Sequence, residues 1–266
     1  MNHYKLIILF VFTILSCSKK EDVQNKRIEF KRPIVTNSKL LKQDSIQKHN
    51  YEVEHIIQYD PIFIGKFKFQ DSIDIQNTNT NIYENRLDDY EEVGLNGLEL
   101  ITDYKTTVFY NFNSQSTHYF SFYPVYIVNS TTKNKVLFGK DSHIFGIQEA
   151  QDKELYNSWK PIEAKGWDFC GNGHWNLIIC PGEFGLALMP KYKGDYNTKL
   201  RTRIKNGDNI IVSNSYKGVI NKSQFKVKDS SHVQRRLKES NGSDSFSIFY
   251  GAALEKEDWI VLSSQK

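Results

Sequence analysis

The chain has 266 residues, 39% hydrophobic and 25% charged, with 15 Gly, 6 Pro, 3 Cys and a formal charge of +4. That balance excludes a collagenous, coiled-coil or wholly disordered chain, and the length is enough to bury a core without a metal or a disulfide framework. The charge is uneven: residues 18–50 hold nine Lys or Arg against four Asp or Glu, whereas residues 51–266 hold 25 against 27. The basic excess therefore belongs to the N-terminal segment, and the remainder lacks the basic balance of a nucleic-acid binder.

Lys5 precedes an apolar run from Leu6 to Leu15, which ends at Ser16 and Cys17. Ten such residues at about 1.5 Å each fall well short of a roughly 30 Å hydrocarbon core, so residues 1–16 read as a secretory signal and not as a membrane span. The end of the run, Ile14-Leu15-Ser16-Cys17, resembles the lipobox of bacterial lipoproteins, with Ile where Leu is commonest. The resemblance implies that Cys17 receives a diacylglyceryl group, becomes the mature N-terminus and holds the protein on a membrane through lipid. The following Ser18-Lys19-Lys20-Glu21-Asp22 is similar to the surface-export tag of lipoproteins in one Gram-negative phylum. That implies an outer-membrane lipoprotein exposed at the cell surface; a plain solvated charge cluster is the other reading.

Residues 17–50, polar, basic and poor in aromatics, read as a flexible tether close to anionic headgroups. Asp44-Ser45-Ile46 and Asp71-Ser72-Ile73 resemble the Asp-Ser/Thr-apolar acceptor for O-glycosylation in the same bacterial group, which implies modification at Ser45 and Ser72. With Cys17 acylated, Cys170 and Cys180 remain as an even pair in an oxidising compartment. Gly171-Asn172-Gly173 between them signals a turn, so a disulfide is expected, with two buried thiols on neighbouring strands as the alternative.

From residue 51 short apolar runs alternate with turn residues. Strands are predicted near 62–69, 73–75, 98–101, 106–112, 119–129, 135–138, 144–148, 159–163, 175–180, 184–189, 200–205, 209–213 and 225–227. Many short strands at this spacing indicate a mainly β protein, an antiparallel β-sandwich with one or two short helices. Residues 51–118 form an N-terminal β region, and 119–228 read as immunoglobulin-like. Residues 229–266 read as a helix over Asp229–Glu239, capped by Ser230 or Ser231, then closing strands Phe246–Tyr250 and Trp259–Leu262. Residues 82–93 are a candidate second helix. Lys205-Asn206-Gly207-Asp208 predicts a hairpin, with Asn-Gly as its two positive-φ residues.

No nucleophile elbow, zinc-protease, phosphate-loop, dinucleotide or calcium-loop motif occurs, so no catalytic residue, metal or cofactor is assigned. Three features carry binding chemistry instead. His118 to Tyr126 is aromatic or apolar on both alternating faces, which suits a doubly buried strand or an exposed aromatic platform. Along 199–205, Lys199, Arg201, Arg203 and Lys205 alternate with Leu200, Thr202 and Ile204. This is a charge-protected edge strand or a stripe for an acidic polysaccharide or partner. Third, Trp167, His174 and Trp175 surround Cys170 and the glycine turn, a core clamp or a rigid recognition loop. The expected function is non-catalytic binding of a glycan or an envelope protein by a lipid-anchored body. The alternative is a carboxylate-dependent hydrolase on a β scaffold, which needs two acids, or an acid and a histidine, converging in a pocket.

Overall fold

The computed structural model describes residues 29–37, 61–66, 71–75, 96–111, 119–140, 143–165 and 174–251. These residues are mainly β, with antiparallel sheets and short helices, as the spacing of apolar runs predicts. The central sheet has the order β2 (Pro61–Lys66), β12 (Glu183–Pro190), β6 (Phe120–Asn129), β4 (Leu98–Thr102), and β5 (Val108–Tyr110) also pairs with β6. Strands from both sides of residue 118 thus share one sheet, and the boundary expected there does not separate two cores.

The central sheet is buried on both faces. On one, Val125, Ile127, Ala187 and Met189 pack with Leu137 of β7 (Lys135–Lys140), Ile144 of β8 (His143–Ile144) and Leu177 and Ile179 of β11 (His174–Ile179). On the other, Phe122, Tyr126, Phe184 and Leu186 pack against Val35 of β1 (Ile34–Thr36) and Ile73 of β3 (Ser72–Asp74), a parallel pair. The aromatic run is therefore core on both sides over its described residues, 119–126, since alternate residues of one strand serve opposite faces.

Residues 29–37 correct the tether reading. Phe30 packs at a tilt against Tyr126 and Phe184, with ring centroids 5.6 and 5.1 Å away, and the Tyr126 hydroxyl donates to the Pro33 carbonyl at 2.6 Å. An apolar Phe-x-x-x-x-Val pattern inside a basic stretch is hidden by its charged neighbours, yet it buries like any strand.

β6 and β12 leave the central sheet together and continue as β7 and β11, which pair in a second sheet. Asn129 fastens this corner. Its Nδ2 donates to the carbonyls of Ile179 at 2.7 Å and Lys133 at 2.9 Å, and its Oδ1 accepts from Thr131. A fully buried amide needs such saturation.

The third sheet runs β10 (Ser158–Pro161), β9 (Gly146–Asp152), β13 (Tyr196–Asn206), β14 (Asn209–Val212), with β15 (Tyr216–Ile220) also on β13. The predicted hairpin is present as β13–β14, but Asn206 closes the ladder and only Gly207 is left-handed, at φ 58°. Asn206 instead turns inward to β7, accepting from Phe138 N at 2.9 Å and donating to Val136 O at 2.8 Å. β15 was not expected; the strand expected at 225–227 is replaced by a 3-10 turn, Lys222–Phe225, closed by an Asn221–Gln224 capping box.

α1 (His232–Glu239) matches the predicted helix, and Ser231 Oγ accepts from Gln234 N at 3.0 Å as its cap. The strand expected at 246–250 is α2 (Ser245–Tyr250). Two left-handed residues, Asn241 and Gly242, turn the chain sharply before it, and Ile248 then buries against Val233 and Ala164 at helical spacing. Residues 1–28, 38–50, 82–93, 167–170 and 252–266 lie outside the described residues, and with them the signal, Cys17, Ser45, Trp167, Cys170, the second helix and the last strand.

Candidate functional site

β13 positions the cationic stripe, and its place in the sheet corrects one reading of it. The strand pairs with β9 on one side and with β14 and β15 on the other, so it is a central strand and needs no charges to guard an edge. Alternation along the strand buries Leu200, Thr202 and Ile204 and turns Lys199, Arg201, Arg203 and Lys205 to the outer face.

The middle two cations share one carboxylate within the protein. Arg201 Nε donates to Glu149 Oε2 at 2.6 Å and an Arg203 terminal nitrogen to Glu149 Oε1 at 3.1 Å. Glu149 lies on β9 directly opposite Arg201. Tyr250 of α2 donates to the same carboxylate at 2.6 Å, and burial pushes its phenol above the ordinary range, with that bond adding to the effect. Aromatic rings cover the guanidiniums: Trp159 lies 4.2 Å from Arg201 and Tyr250 4.2 Å from Arg203, while Lys205 sits 5.4 Å from Phe246. Arg201, Arg203 and Lys205 therefore pack β10 and α2 onto the sheet.

Lys199 is different. It lies at the end of β13, beyond Ala150–Leu200, where the ladder to β9 stops and the Thr198 hydroxyl reaches the Gln151 carbonyl instead. The separation opens a cleft of about 730 Å³, with Tyr123 and Tyr192 deep in it and Lys153, Lys191, Lys199 and Lys217 around it. Gln151, Asn157 and Asn197 add amides, and none of the described lining residues is acidic.

Lys199 and Lys217 face each other directly across the β13–β15 ladder. Such a pair has Cβ atoms about 5 Å apart, and like charges so placed repel. Among the described residues neither ammonium has an acid within ion-pair distance. Gly194 fixes the geometry: a Cβ there would meet the Ile220 carbonyl oxygen at 2.1 Å, so only glycine lets the chain enter β13 this close to the end of β15.

The remaining cations are held by local bonds. Lys191 Nζ donates to Thr107 Oγ1 at 2.6 Å and lies 5.2 Å from the Tyr123 ring. Burial, and secondarily Lys193, lowers its pKa below the usual lysine value. Lys153 stands 5.7 Å from the Tyr196 ring on the β9–β10 loop. That loop turns through Tyr156 and Asn157 at φ 51° and 55°, leaving Tyr156 97% exposed. The adjacent acids are engaged elsewhere, Asp152 with Lys160 at 2.8 Å and Glu154 with Lys222.

Of the other sequence candidates, His174 and Trp175 fall on β11 opposite Lys140 and Gly139, away from the cleft strands. Cys180 directly follows β11, half-buried, and its N–H donates to Glu183 Oε2 at 3.0 Å. No disulfide occurs among the described residues. Cys170 lies outside the described residues. Ser72 is exposed on β3. Lys153, Lys191 and Lys217 were not singled out from sequence: they are isolated lysines on three segments, and only Lys217 carried a signal, a Tyr-Lys-Gly-Val-Ile run of strand formers. No protein-family model, curated protein or solved structure matches the chain.

Proposed function

We propose that this is a lipid-anchored envelope protein of a Gram-negative bacterium, held by a diacylglyceryl group on Cys17, whose body binds an acidic glycan in the lysine cleft. The observation that carries the binding half is the opposition of Lys199 and Lys217 in a cleft whose described lining has no acid. A sheet gains nothing in stability from facing lysines, whereas a bound anion relieves their repulsion. The body as a whole is slightly acidic, so the positive charge is local to the site. The amides of Gln151, Asn157 and Asn197 suit sugar hydroxyls.

The hydrolase alternative has less support. Among the described residues the two buried glutamates lie outside the cleft lining, and each is already saturated, Glu149 as described and Glu163 by Gln148 N, Gln148 Nε2 and Tyr192. As to architecture, the apolar cluster shared by the central sheet and the sheets facing it supports a sandwich-like body. The paired passage of β6–β12 into β7–β11 lends no support to a specifically immunoglobulin-like order.

The test is retention of the full chain, purified in detergent, on immobilised dextran sulfate beside plain dextran. The expected result is binding to the sulfated polymer only, weakened about tenfold or more between low and high salt. Lys199→Gln with Lys217→Gln should lose most of it, and Lys238→Gln on the exposed face of α1 should not. Equal retention of all three forms would sink the cleft assignment.

A further inference from the structure

We infer that the Lys199–Lys217 pair is a site for one doubly charged group, a phosphate monoester on a sugar, and that the protein reads a phosphorylated glycan. The inference rests on the anion-binding reading above and narrows it. Two ammonium groups rooted about 5 Å apart on facing strand positions share a single ligand group more readily than they bind two separate ones. A carboxylate or a sulfate ester carries one negative charge and leaves half of the pair uncompensated. A phosphate monoester carries about −1.5 to −2 at neutral pH and offers three acceptor oxygens, enough for both ammonium groups at once.

The rest of the cleft favours charge over ring stacking. Tyr123 and Tyr192, its aromatic residues, are both buried, and Tyr192 gives its hydroxyl to Glu163. Lys191, anchored on Thr107, and Lys153, on the β9–β10 loop, add positive potential to the cleft. The site is built on the β13–β15 ladder, whose close approach at Gly194 leaves little play between the strands.

This assignment has a pH signature that a general anion site lacks. The titratable groups lining the cleft from the described elements are Lys153, Lys191, Lys199, Lys217, Tyr123 and Tyr192, with no histidine or carboxylate among them. Outside it, Asp152 has its carboxyl held below the usual range by the bond from Lys160, and Glu154 is paired with Lys222. The ligand phosphate, with its second pKa near 6, is therefore the group that changes charge between about pH 5 and 7.5.

The experiment measures binding of the full chain in detergent to dextran carrying phosphate monoesters, sulfate esters or carboxymethyl groups at matched substitution, at about pH 7.5 and pH 5. The expected result is tightest binding to phosphodextran at the higher pH, falling about tenfold at the lower, with dextran sulfate nearly unchanged. Lys217→Gln and Lys199→Gln should each flatten the phosphate response to that of sulfate. If phosphodextran and dextran sulfate bind equally and both are insensitive to pH, the phosphate assignment is overturned while anion binding stands. If no charged dextran binds, the broader reading fails first and this one with it.

Discussion

Glu149 shows how much can rest on one side chain. It is 1% exposed and receives three donors, two from β13 and one from α2, so one carboxylate joins the sheet, the stripe and the C-terminal helix. Removing its charge leaves Arg201 and Arg203, with side chains only 23% and 17% exposed, facing a neutral amide. Glu149→Gln is therefore expected to destabilise the fold by about 3 kcal/mol, the scale for stripping one partner from a buried ion pair. Glu154→Gln, which breaks the exposed pair with Lys222, should shift the midpoint far less, because water screens that pair. Urea unfolding midpoints compare the two, and equal shifts would refute the central role of Glu149. The alternation of cations along 199–205 was legible in sequence, because side-chain direction in a strand follows from its period of two. Their partner was not, since Glu149 lies 52 residues from Arg201 and only the β9–β13 register brings them opposite.

Among elements, three tyrosines from separate segments pack together, and one of them, Tyr123, lines the cleft. Tyr104, between β4 and β5, stacks on Tyr216 of β15 at 3.4 Å between centroids, and Tyr123 of β6 meets both edge-on at 5.7 and 5.4 Å. Tyr104 also donates to the Asn214 carbonyl at 2.8 Å, tying the start of β15 to the central sheet. Burial pushes the Tyr123 phenol up to about 12, with Tyr104 adding to it, and raises Tyr104 and Tyr216 as well. The folded state thus resists ionisation more than the unfolded chain does. The stabilisation this linkage allows is fully present below about pH 10, the unfolded phenol value, and is lost as pH rises towards the folded values. Unfolding midpoints are expected to hold from neutral pH to about pH 10 and then drop, with part of the phenolate absorbance appearing only as the protein unfolds. Tyr104→Phe with Tyr216→Phe should shrink that late portion; an unchanged titration in the double variant would refute it. Elements with strong local signals were readable here, including β6, β12 and the β13–β14 hairpin. β15 was missed because glycine interrupts a short run, and α2 was misread because its aromatic residues favour strands while the turn before it and the packing of Ile248 impose helix.

At the scale of the whole molecule, the docking of residues 29–37 decides how far the cleft can stand from a membrane. A tether of residues 17–50 would span up to about 110 Å, whereas a chain fixed from Glu29 onward leaves twelve steps from Cys17, about 40 Å at full extension. With Cys17 acylated as proposed, the body would stand no farther than about 40 Å from the surface, where the ligands it meets would be those of the envelope itself. Two acyl chains at about 0.8 kcal/mol per buried methylene would be enough to keep it there, where a single chain gives only marginal binding. No helix among the described residues is long and apolar enough to cross a membrane, so the prediction turns on Cys17. Cys17→Ser should move the chain from the membrane pellet to the soluble fraction without changing its affinity for dextran sulfate, because the cleft and the anchor share no residues. A Cys17→Ser chain that stays in the pellet through a high-salt wash would refute lipid anchoring. Release by salt alone would assign retention to the nine basic residues of the N-terminal segment, acting on anionic headgroups.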